Sequence, residues 1–89
     1  LLALVNADRV RIAGLGRAGA SALEVHQALQ RQPIATSAAL AKATGLTPVT
    51  VNKSLAHLTR IGIVAEVTNR QRGRVFRYVE YVEKLAAER

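Results

Sequence analysis

Between Asn69 and Arg77 the chain reads NRQRGRVFR, placing Arg70, Arg72, Arg74 and Arg77 in one short stretch with no acid among them. A guanidinium is a planar fork that meets two phosphate oxygens at once, and a narrow groove of negative potential draws it in further. Four such contacts to a nucleic-acid backbone correspond to a salt slope near −3.6, roughly a hundredfold loss of affinity for a fourfold rise in salt. The plainer alternative is a charged hairpin kept soluble by repulsion, which does not require four arginines at one tip.

The second candidate set precedes the first. In LTPVTVNKSLAHLTRIG, a helix that buries Val51, Leu55 and Leu58 turns Val49, Lys53, Ala56 and Arg60 outward, with Thr50, Asn52 and His57 on its flanks. No acid occurs between Glu24 and Glu66. A helix that enters the major groove needs a low profile and groups that reach base edges and phosphates. Thr47, Val49, Thr50, Asn52, Lys53, His57 and Arg60 are therefore the candidate contacts on this helix, and Arg70, Arg72 and Arg74 those on the hairpin.

Other chemistry finds little support. His26 and His57 each stand alone, without cysteine or carboxylates at metal spacing, so neither a metal nor a cofactor is expected. His26 reads as a packed residue and His57 as a phosphate contact. GLGRAG superficially resembles a phosphate loop, but no strand precedes it and no GK[ST] follows. The six acids form no pair with an evident base or nucleophile, so no catalysis is expected.

The elements that must position these groups can be read from punctuation and periodicity. Ala22, Val25 and Leu29 lie at helical spacing in a segment over 20–32 that Pro33 stops. Ile34 and Ala35 form a short extended link. Thr36 or Ser37 caps a second helix that buries Leu40 and ends at Gly45. Thr47 caps the third, with Pro48 at its first position and Leu46 packed back on Val51 as a hydrophobic staple. The short gap around Gly45 is that of a helix-turn-helix. Two β-branched runs, 63–68 and 74–79, form a hairpin around 69–73, and a closing helix starts near Glu80. The predicted fold is mainly α with a small β-hairpin: a winged helix-turn-helix with a three-helix core, a two-stranded wing and a C-terminal helix.

The chain has 89 residues and a net charge of +7, suited to one domain. Seven cations against Glu66 give residues 34–79 a balance of +6, a concentrated field that attracts polyanions. With two Tyr, one Phe and no Trp, the core must come from Ala, Leu and Val. No apolar run approaches the roughly 20 residues of a membrane helix, so no membrane partner is expected. Residues 1–13 read as a helix whose apolar side lacks an obvious partner. With the glycines at 14, 16 and 19, residues 1–18 are expected to be the helical tail of something larger, and 19–89 the compact domain. The missing initiator Met agrees with a fragment.

From RIAGLGRAGASALEVHQALQRQPI through TPVTVNKSLAHL, GIVAEVT and RQRGRVFRY to the end, the chain resembles the C-terminal region of bacterial Fic family proteins. The resemblance implies a winged-helix module behind a cytoplasmic AMP-transferring domain, whose HxFxxGNGRxxR-type motif is absent here. It implies that 1–18 closes the upstream catalytic domain, and that this domain or a second copy of the chain covers the N-terminal leucines. Two readings follow: a module for double-stranded DNA, gripping phosphates and the major groove and serving autoregulation, or a protein-interaction module. A stand-alone transcription regulator of the MarR or ArsR kind is a third, opposed by the missing Met and the lack of metal ligands.

Overall fold

The computed structural model describes residues 1–69 and 72–88. Five helices and three short strands follow one another: α1 (Leu2–Ala13), α2 (Gly19–Arg31), β1 (Ile34–Thr36), α3 (Ser37–Thr44), α4 (Pro48–Arg60), β2 (Val64–Glu66), β3 (Val75–Tyr78) and α5 (Val79–Ala87). A single 3₁₀ turn, Gly16–Ala18, joins α1 to α2.

The helical spacings seen in the sequence produce the core. Ala22, Val25 and Leu29 of α2, Leu40 of α3, and Val51, Leu55 and Leu58 of α4 are all buried, and Phe76 and Tyr78 of β3 close the same cluster. The sequence left Thr36 and Ser37 as alternative caps for α3. Thr36 takes the role, its Oγ1 accepting from the Ala39 amide at 3.0 Å. Gly45 then ends α3 in the left-handed region at φ 76°, which L side chains adopt reluctantly.

Residues 1–13 differ from expectation. The apolar side of α1 does have a partner: Val5 and Ile12 are buried, and Ile12 belongs to the same cluster as Val25 and Leu29. The glycine-rich stretch is the tight corner that allows this. A Cβ on Gly19 would lie 2.9 Å from the Ile12 carbonyl oxygen, so α2 begins too close to the end of α1 for any other residue.

The hairpin gains a strand. Ile34–Thr36, expected as an extended link, pairs with β3, giving a three-stranded antiparallel sheet in the order β1-β3-β2. Ala35 stands opposite Phe76 and Ala65 opposite Arg77. Both hairpin strands are shorter than the alternation implied: β2 ends at Glu66, and β3 ends at Tyr78 because Val79 already opens α5. None of the residues of α5 is fully buried, although Tyr81 packs against the cluster. Among the described residues, no helix is long and apolar enough to cross a membrane.

Candidate nucleic-acid interface

The turn between α3 and α4 is built by threonines. Thr44 donates its hydroxyl to the Leu40 carbonyl at 2.7 Å and accepts from the Leu46 amide at 3.2 Å. Thr47 then caps α4, accepting from the Thr50 amide at 3.2 Å, with Pro48 at the start where an N–H would have no helical partner. Leu46, half-buried, packs against the cluster that holds Val51, where a staple residue is required. The far end closes with Ile63 N–H on the Leu58 carbonyl and Gly62 N–H on Thr59, the paired bonds of a Schellman cap.

A helix so fixed presents its other side to solvent. Val49, Asn52, Lys53, Ala56 and Arg60 are exposed, Thr50 and His57 half-buried, while Val51, Ser54, Leu55 and Leu58 face inward. Val49 keeps 64% of its surface, so the outer face is not plugged by the protein itself. Two internal bonds organise this face. The Thr47 hydroxyl donates to Thr50 Oγ1 at 2.9 Å, and Arg60 donates to His57 Nδ1 at 2.6 Å. An imidazole that accepts at Nδ1 carries its proton on Nε2, which leaves His57 a donor for an outside oxygen.

The wing arginines are not equivalent. Arg72 is exposed at the tip. Arg74, expected beside it as a contact, is half-buried: it donates to Glu66 Oε1 at 3.0 Å and stacks over the Phe76 ring at 4.9 Å. Thr68 completes this cross-wing mesh, donating to Glu66 Oε2 at 3.3 Å and accepting from the Val75 amide at 3.0 Å. Arg77 is half-buried in mid-strand. Arg70 lies outside the described residues.

One polar group went unforeseen. Asp8 of α1, His26 of α2 and Tyr78 of β3 meet in the interior, 5%, 1% and 0% exposed. The Tyr78 hydroxyl donates to Asp8 Oδ2 at 2.6 Å and lies 2.8 Å from His26 Nε2. Burial, then the bond to Asp8 and its charge, pushes the phenol far above its ordinary range. Burial also lowers the His26 pKa; the Asp8 carboxylate opposes this and Arg9 adds to it. The sequence spacing of 70 residues between Asp8 and Tyr78 offered no local signal for the contact. Among the described residues, no three His, Cys, Asp or Glu converge as metal ligands.

A helix-turn-helix whose second helix stands open on its outer side, followed directly by a β-hairpin, defines a winged-helix module for DNA. Residues 21–65 match the winged helix-turn-helix DNA-binding family, and the chain belongs to that family. In shape it is similar to the oxidised form of MarR from E. coli, with a TM-score of 0.60 over 99% of this chain and 67% of that one. The two are 16% identical, so the likeness is one of fold. No curated protein matches the chain in sequence.

Proposed function

We propose that this module binds double-stranded DNA with the N-terminal half of α4 in the major groove and Arg72 of the wing on the phosphate backbone. The observation that carries the reading is the outer face of α4, which is exposed, low in profile and free of acids, and bears Asn52, Lys53 and Arg60. Asn52 and Lys53 suit base edges, whereas Thr47, Thr50, His57 and Arg60 suit phosphates. The test is a fluorescence anisotropy titration against a random duplex and against the promoter of the chain's own gene, at two salt concentrations. Tight binding at low salt that weakens steeply with salt is expected. No response at low salt refutes the reading.

The resemblance to Fic family C-terminal regions extends the proposal. The module then serves a cytoplasmic AMP-transferring parent, and preference for its own promoter marks autoregulation. An upstream reading frame that encodes the HxFxxGNGRxxR motif is the check on that parentage. A second reading, docking to a second copy or to the parent's catalytic domain, draws on Leu2 and Val10, each 74% exposed on α1. Sedimentation of the chain as a concentration-independent monomer would count against the second copy.

A further inference from the structure

We infer that Asp8 and Arg11 of α1 are positioning residues for DNA contact, because their ion pair joins the end of the recognition helix α4 to the root of the wing. The inference rests on the DNA-binding reading above.

The two residues are three apart on α1 and so share a face. Asp8 Oδ1 lies 3.5 Å from one Arg11 nitrogen. The other terminal nitrogen of Arg11 donates to the carbonyl of Ile61, the residue that caps α4. The second carboxylate oxygen of Asp8 accepts from Tyr78, the last residue of β3. Each arm thus ends on one of the two elements proposed to touch DNA.

The wing arm is held on every side. A phenol has one proton, and Tyr78 spends it on Asp8, so His26 must donate from Nε2 to the phenol oxygen. His26 Nδ1 is then left to accept from the Gln30 amide, 3.4 Å away. The Tyr78 amide donates to the Pro33 carbonyl at 2.8 Å, and its ring stacks on Tyr81 at 5.0 Å. Tyr81 in turn donates to the Gln30 carbonyl at 3.1 Å. Tyr78 is therefore fixed by α1, α2, the approach to β1, and α5. The hairpin projects from this residue on two short strands, so an angular error at the root is magnified at Arg72. A buried carboxylate stabilises little after its desolvation is counted, whereas its directional bonds specify an arrangement.

The experiment measures Kd and its salt dependence on one duplex for the wild type, Asp8→Asn, Tyr78→Phe, Arg72→Ala and the double variant Tyr78→Phe with Arg72→Ala. Circular dichroism melts of each run alongside. Tyr78→Phe keeps the ring and its stacking, so it serves if Asp8→Asn fails to fold. A misplaced wing loses its phosphate contact, so the salt slope should fall by about 0.9, as it should for Arg72→Ala itself. The double variant should then bind no more weakly than Arg72→Ala alone. A purely structural role would lower the melting temperature and leave the slope of the folded protein intact. Folded variants with the wild-type slope, or losses that multiply in the double variant, overturn the inference while the DNA reading stands. A wild type that ignores DNA at low salt overturns both.

Discussion

Replacing Ile12 by Ala should destabilise this small protein severely, although the residue sits in a helix that looks peripheral. Ile12 is fully buried, in the cluster that holds Ala22, Val25 and Leu29 of α2. The change removes three carbons from that position. At about 0.8 kcal/mol per buried methylene, the transfer loss is about 2.4 kcal/mol. The residual cavity adds to it, giving about 3 kcal/mol, inside the range of about 2–5 found for such truncations. A loss of that size consumes a large part of a typical stability of about 5–15 kcal/mol, and lowers Tm by roughly 12–24 °C. The control is Val10→Ala on the same helix, where the side chain is 74% exposed and the change should stay within about 0.5 kcal/mol. Urea denaturation followed by circular dichroism measures both, and comparable slopes with different midpoints would place the effect on stability itself. If the two variants unfold at the same urea concentration, α1 is not energetically part of this core and the reasoning from its burial is wrong.

Four further outcomes are expected. Arg72→Ala should lower the salt slope of DNA binding by about 0.9 and leave the melting curve unchanged; Arg74→Ala, which breaks the pair with Glu66, should cost less than about 1 kcal/mol of stability. A melting curve shifted by Arg72→Ala and untouched by Arg74→Ala would reverse these roles. Acidification should weaken the fold through His26, whose folded pKa lies below its ordinary 6.5. The unfolded chain binds the proton more readily, so this contribution is fully present above about pH 6.5 and is lost as pH falls towards and through the folded pKa. Urea midpoints at about pH 7.5 and 5.5 should diverge in the wild type and converge in His26→Gln. Thr47→Ala should cost about 1 kcal/mol by leaving the Thr50 amide without its cap, visible as a lower thermal midpoint that Thr47→Ser restores.

Much of the fold was legible because it depends on neighbours in the chain. Thr47 with Pro48 starts a helix through an orphan amide and a missing N–H, and Gly45 ends one through a backbone angle. Val51, Leu55 and Leu58 recur at the helical period and so had to face one way. The outward residues of α4 follow from the same period, and so does their exposure. The wing was harder to read. Its arginines looked equivalent as a run of like charge, yet Glu66 across the strands and the Phe76 ring single out Arg74.

What local pattern could not decide was who meets whom across the chain. The strand at Ile34–Thr36 is too short to register as one until β3 offers it a hydrogen-bonding edge. The place of α1 depended on a corner in which Gly19 lets two helix backbones nearly touch. Asp8, His26 and Tyr78 belong together because three separate elements bury them side by side. Propensity and periodicity act over a few residues, whereas a buried carboxylate finds its partners through closure of the whole core.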